Sequence, residues 1–320
     1  MLFTCCRVLV GATLIALGSA VSISGQATVT ADLPAILKGA AEKRLGYIDE
    51  FKNLLSQETK SFEIYDRKGE VKKRRSVVST FIVYQLAKKE NAVTEFRNVI
   101  SVDGKNVGDS DKRAQDFFEE VAKADTSNKE LEKIDKEGSR FDEEISVNGL
   151  TLYQAAVIAE HFRPYFEFTL EETEMMAGRQ VYRVAYRQTR DSPYVSLDPK
   201  RPATDGKLTL VYDLDLGSPR STVGRLNGTF WIDTDSLRVR KEKRVLTVRS
   251  EDMPAAVPAL ETVLEYQDSS FEILTPSRLS FTQYIVARKG QESRKELMVV
   301  FDYANFTKPD VEVRSADVKD

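Results

Sequence analysis

From Tyr165 to about Tyr303 the sequence alternates apolar and polar residues with a period of two, and no helix-length stretch interrupts it. Phe166, Phe168 and Leu170 alternate with Tyr165, Glu167, Thr169 and Glu171; Tyr182, Val184 and Tyr186 repeat the pattern after Gly178. Residues 228–241 read as two strands around a polar turn. Phe230 and Ile232 point to one face, Thr229, Trp231 and Asp233 to the other, and Asp233 to Ser236 supply the turn. Further strands are predicted over 208–213, 226–233, 237–248, 260–266, 279–288 and 296–303. The three prolines between Asp191 and Gly206 mark a long loop. Strands joined without crossover helices pair antiparallel.

The first half is mixed. Leu33, Ile36, Leu37, Ala40, Ala41, Leu45, Ile48, Phe51 and Leu55 recur at helical spacing, which predicts an opening helix over 33–55. A hairpin follows, with Phe62 and Ile64 in its first arm, a turn at 66–69 and a return over 75–84. A third strand is predicted over 96–102. From 109 to 162 the period turns helical, with a third helix over 152–162 stopped by Arg163 and Pro164. The fold class expected from the residues is therefore α+β, with a helical insertion at about 109–162.

The N-terminus has the layout of a secretory signal: Arg7, an uncharged apolar run over 8–21, and small residues offering cleavage after Ala20 or Ala27. The run is short of the ~20 residues a spanning helix needs. The expected organisation is a signal peptide over 1–27 and a single domain over 28–320, exported to a bacterial periplasm. Cys5 and Cys6 both precede the apolar run, so the mature chain carries no thiol and must rely on a packed core. With 47 basic and 50 acidic residues, a net charge of −3, nothing draws the chain as a whole to nucleic acid.

The motifs of common chemistries are missing. His161 is the one histidine; at the end of the third predicted helix it reads as a cap, where a helix C-terminus favours the protonated ring. Asp213, Asp215 and Gly217, like Asp233 and Asp235, look superficially like calcium loops, but they lack the acidic twelfth position and read as turns. Glu171, Glu172 and Glu174 share one strand and define no cross-site acid pair. No catalytic residue, metal ligand or cofactor is expected. The basic run Lys72, Lys73, Arg74 and Arg75 is the densest, read chiefly as a solvated hairpin end, with peripheral contact to an anionic membrane as the alternative. Asn227 and Asn305 match the glycosylation sequon.

The order of elements resembles the LolA/LolB-like periplasmic lipoprotein-carrier superfamily and related sigma-factor regulators. The resemblance lies in the export signal, the opening helix, the first hairpin, the Gly228-Thr-Phe-Trp-Ile-Asp233 strand and a closing hairpin that ends at Tyr303-Ala-Asn-Phe306. It implies a strongly curved, unclosed antiparallel sheet, a half-barrel, with helices covering its concave face and apolar space between them. It implies a non-catalytic carrier of lipid or lipoprotein acyl chains, or else an envelope regulator or scaffold that binds a protein segment. The insertion over 109–162 and the loop over 191–206 depart from a simple carrier.

Each CH₂ moved from water into an apolar site contributes ~0.8 kcal/mol, so such a space can hold an acyl chain without a charged partner. The side chains expected to line it are Phe166, Phe168, Leu210, Phe230, Ile232, Phe281 and Phe301. The same residues equally suit a filled sheet–helix core, and the sequence leaves both open. Trp231 is expected on the convex side, because Thr229 and Asp233 share its face.

Overall fold

The computed structural model describes residues 31–308 except 53, 86–92, 124, 144–146, 148, 199–204, 206, 214–221, 252–254 and 287–292. The export segment, both cysteines, Asp215 and Gly217 lie outside the described residues. Leu33–Asp320 falls in one compact unit.

Helix α1 (Leu33–Phe51) buries Ile36, Leu37, Ala40, Tyr47 and Phe51, a stripe of three- and four-residue steps. It ends four residues earlier than its apolar spacing predicts. The amide of Leu54 bonds back to the Phe51 carbonyl, and Leu55 already belongs to strand β1 (Leu55–Tyr65). Strands β2 (Val71–Gln85), β3 (Val93–Val102) and β4 (Lys105–Asn106) follow in a meander. Asp103 and Gly104 close the last hairpin, both left-handed (φ 48° and 75°), the two-residue turn that matches strand twist.

Helices α2 (Ser110–Ala122) and α3 (Ser127–Gly138) come next, then a strap over 139–165. Strands β5 (Phe166–Met176) and β6 (Arg179–Gln188) form a hairpin. After an excursion, β9 (Val223–Asp233), β10 (Val239–Arg249), β11 (Val257–Gln267), β12 (Thr275–Ile285) and β13 (Arg294–Thr307) form a second meander. Among the described residues the sheet has eleven strands in the order β4-β3-β2-β1-β13-β12-β11-β10-β9-β6-β5, every pairing antiparallel, and it is curved and unclosed. β13 pairs with β1 and so joins the two meanders.

Two further expectations about secondary structure are corrected. Residues 152–162 form no α-helix. The strap instead makes three 3₁₀ turns, Leu150–Tyr153, Ala156–Ile158 and Arg163–Tyr165. Ala155 between the first two is left-handed (φ 46°), which an α-helix does not tolerate. Second, the strand predicted over 208–213 does not join the main sheet. Only β8 (Leu210–Val211) forms there, pairing in parallel with β7 (Val195–Ser196), inside the segment expected to be loop.

The core has two layers at one end of the sheet and three at the other. α1 lies on the concave face, where Phe51 meets Phe81 (ring centroids 6.1 Å) and Tyr47 meets Tyr266 (6.1 Å). Phe96 of β3 points the opposite way from its neighbour Arg97 and packs with Ile82, Phe117, Leu131 and Ile134. At this end α2 and α3 therefore back the outer face, and residues 94–97 are buried without alternation.

Candidate functional site

The concave face carries apolar residues interleaved with buried charges. On β1, Glu58 and Lys60 share the face of Phe62 and Ile64; on β3, Glu95 and Arg97 face the same way; on β10, Glu242 and Arg244 share the face of Leu246 and Val248. All six are buried. Ions removed from water this completely need partners.

One cluster centres on Arg97. Its Nε donates to Glu58 Oε1 (2.6 Å) and its Nη2 to Glu58 Oε2 (2.9 Å) and Glu95 Oε2 (2.8 Å). Burial works against charge on Arg97, but Glu58 and Glu95 hold its pKa well above the ordinary value. Burial likewise pushes Glu95 up, and Arg97 with the bonds from Thr151 outweighs it, leaving the carboxyl below its usual range. Lys60 donates to both oxygens of Asp142 (2.8 and 3.0 Å); burial, with Arg97 beside it, pulls its pKa down all the same.

The second cluster centres on Glu242, which accepts from Arg244 Nε (2.9 Å) and the Tyr186 hydroxyl (2.9 Å). The close approach of Tyr186 needs Gly228: a Cβ there would run into the Lys243 carbonyl and the Tyr186 hydroxyl.

Both clusters hold the strap. Glu95 accepts from the amides of Gly149 (2.7 Å) and Thr151 (2.9 Å) and from the Thr151 hydroxyl (2.7 Å). Glu242 accepts from the Ala155 amide (3.1 Å), while Arg244 donates to the Tyr153 carbonyl (3.1 Å). From α1, Arg44 donates to the Gln154 carbonyl (2.9 Å); in return Arg163 donates to the Leu37 carbonyl (3.0 Å). Backbone groups left over by short 3₁₀ turns are thus satisfied by side chains of the sheet and of α1. Side chains take the backbone groups of Tyr153, Gln154 and Ala155 that an α-helix over 152–162 would pair internally, and Ala155 to Ile158 and Phe162 are buried beneath them.

Of the seven side chains expected to line an apolar space, six belong to the main sheet and face its concave side. Phe166 and Phe168 are on β5, Phe230 and Ile232 on β9, Phe281 on β12, and Phe301 on β13. Leu210 stands apart on β8. Tyr186 stacks on Phe230 with centroids 4.6 Å apart, and the Phe301 ring lies under Lys60 (5.5 Å) and Arg97 (5.6 Å). Phe168 and Leu170 are only half-buried, at the end of the sheet where, among the described residues, β5 has no further strand beside it.

Trp231 is on the outer face, half-buried. Its indole N–H donates to Glu174 (2.6 Å) and Lys241 lies over its ring at 5.4 Å. A cleft of about 620 Å³ on the outer face runs over Val223, Arg225, Thr247 and Arg249 and touches none of the seven.

His161 does not cap a helix. Its Nε2 lies 3.1 Å from the Leu208 carbonyl and its ring packs on Phe162 and Tyr194; burial pulls its pKa below the ordinary value, the reverse of the expected protonated cap. Asp233 is a turn residue, accepting from the amides of Asp235 (3.1 Å) and Ser236 (2.9 Å) and from Arg240 (2.8 Å). Glu171, Glu172 and Glu174 all pair with Arg183. In the basic run, Lys73 and Arg75 pair with Glu143 and Arg74 with Glu63 (3.0 Å), so much of its charge is met within the molecule. Among the described residues no three His, Cys, Asp or Glu gather as a metal site, and no helix is long and apolar enough to cross a membrane.

No family model and no curated protein matches the sequence. Solved structures similar to this chain include a LolA superfamily protein from Nitrosomonas europaea, 11% identical over 87% of this chain and 94% of that one, TM-score 0.33. A protein domain from Vibrio parahaemolyticus described as outer membrane lipoprotein-sorting is 8% identical over 87% and 94%, TM-score 0.33. A chain of a Pseudomonas aeruginosa MucA/MucB complex gives 10% over 87% and 99%, TM-score 0.21. The likeness is too distant to carry a function across.

Proposed function

We propose that the protein is an exported, non-catalytic binding or carrier protein for lipid or lipoprotein acyl chains, with residues 1–27 as the export signal and 28–320 as the mature periplasmic domain. The observation that carries this reading is the open end of the concave face. There Phe168 and Leu170 sit half-buried beside the fully covered Phe230 and Ile232, on a sheet that does not close. An acyl chain laid against them and Phe166 removes apolar surface from water on both partners, while Phe281 on β12 and Phe301 on β13 lie farther along the same face, Phe301 beneath Lys60 and Arg97. Leu210 joins them only through the β7–β8 pair. Lys72, with no ion-pair partner among the described residues, is the part of the basic run best placed to touch an anionic membrane.

A second reading rests on the same end of the sheet. β5 pairs with β6 alone among the described residues, so its outer backbone ladder is available to an added strand from an envelope protein. Native mass spectrometry of protein purified from its own envelope separates the two. Co-purifying lipid supports the carrier; a stoichiometric polypeptide in its place supports the regulator and sinks the carrier.

A further inference from the structure

A narrow cleft of about 20 Å³ opens between α1, the strap and the entry to β10. Three cations line it: Lys43 and Arg44 of α1, and Arg238 from the turn before β10. Among the described residues none of the three has a carboxylate within ion-pair distance. The guanidinium groups of Arg44 and Arg238 donate to carbonyls, those of Gln154 and Glu272. Glu242, the carboxylate acting most strongly on Arg44, is already taken by Arg244, Tyr186 and the Ala155 amide.

The same cleft is lined by Tyr47, which is 3% exposed and whose hydroxyl has no partner among the described residues. The Tyr266 hydroxyl, on a ring 6.1 Å from that of Tyr47, and Thr275 Oγ1, next in the chain to the lining residue Leu274, are equally unpartnered. Buried donors without acceptors are rare in folded proteins. Here they lie near three cations that make no ion pair among the described residues. Burial pushes the Tyr47 phenol well above its ordinary pKa, so its proton stays in place as a donor.

We propose that this cleft binds one small oxyanion of carboxylate size, held by Arg44, Lys43 and Arg238 with the Tyr47 hydroxyl as a neutral donor. A volume of about 20 Å³ exceeds the ~10–15 Å³ that a water needs, and it excludes an acyl chain. The carboxylate is either a free ion or the head group of a fatty acid whose chain lies elsewhere. The site does not depend on the lipid reading, since a free carboxylate fills it.

Thermal unfolding of the full chain in sodium formate, against sodium chloride at matched ionic strength, tests the site, because a ligand that binds the folded state raises Tm. Formate is expected to raise Tm. Arg44→Gln is expected to weaken formate about tenfold, and so is Lys43→Gln, which removes no bond of the fold. Tyr47→Phe is expected to weaken formate while leaving Tm in chloride unchanged or higher, since it deletes an unsatisfied group. A formate shift that is absent, or equal in wild type, Lys43→Gln and Tyr47→Phe, overturns the proposal. Laurate that binds with the same dependence and is displaced by formate identifies the anion as a head group. Formate binding that depends on these residues while laurate fails to bind identifies a free oxyanion; the site then stands although the lipid reading falls.

Discussion

Arg97 reaches across strand β2 to grip Glu58 with two parallel hydrogen bonds, Nε–Oε1 at 2.6 Å and Nη2–Oε2 at 2.9 Å, while its guanidinium lies 5.2 Å above the ring of Phe81 on the strand between. The pair is dry, with side chains 2% and 0% exposed. Its geometry couples three strands through one planar cation, and removal of that cation strands Glu58 and Glu95 in the interior.

Arg97→Met is therefore expected to destabilise the protein by about 3–5 kcal/mol, the range for breaking a buried pair from one side. Urea unfolding measures it. Adding Glu58→Leu to Arg97→Met should recover part of the loss, because one uncompensated carboxylate disappears. A double variant as unstable as the sum of the singles would show that the two residues do not act together.

Asp233 gives a pH prediction with a definite sign. Burial raises its pKa, but the Ser236 bonds and Arg240 outweigh this and set it at about 2. A carboxyl depressed on folding contributes stability that is fully present above its unfolded pKa of about 3.9 and is lost as pH falls through about 2. Acid titration of wild type should show this loss between about pH 4 and pH 2. Asp233→Asn should be less stable at neutral pH, with the difference from wild type narrowing in that window.

Gly228→Ala is expected to cost about 2–3 kcal/mol, at the upper end of overpacking, because the new methyl meets a backbone oxygen that cannot rotate away. Thermal unfolding reads the loss. Pairing it with Tyr186→Phe should leave most of the loss in place if Lys243 O is the main obstacle.

The strap supplies a local test. In Glu242→Leu the Ala155 amide loses its acceptor, so hydrogen exchange at Ala155 should accelerate strongly while exchange in β11 and β12 changes little. Equal acceleration throughout would mean that Glu242 serves the sheet as a whole.

On the outer face, Trp231 should be a poor reporter of ligand. Adding laurate or a lysolipid is expected to move its emission little, and Trp231→Phe should leave binding intact. A large blue shift lost in Trp231→Phe together with affinity would place the ligand on the opposite side of the sheet.

Much of the architecture is legible in local pattern. The parity of Phe230 and Ile232 places one face of β9 inward, and Trp231 follows outward. The same parity, read backward from Phe62 and Ile64, puts Lys60 and Glu58 on the buried face. Read forward along β10, it puts Glu242 and Arg244 with Leu246. Those residues look solvent-exposed because of their type, and the partners that make burial tolerable are Asp142, Arg97 and Ala155, far away in the chain. Leu55 continues the apolar spacing of α1 yet opens β1, since pairing with Ile82 and Thr307 outweighs one more helical turn. Leu210 has the right alternation but only two residues of strand to use it.

The pairing of β1 with β13 dictates an order of events. Leu55 meets Thr307 and Ile64 meets Leu297, so the first strand of this sheet along the chain waits for a second neighbour that is the sheet's last. Until then the nascent chain holds two separate meanders, each with a raw lateral edge, and the slowest step is the search that brings them into register. A ribosome stalled before β13, or a protease cut in the final hairpin, should therefore yield aggregation rather than a smaller stable domain.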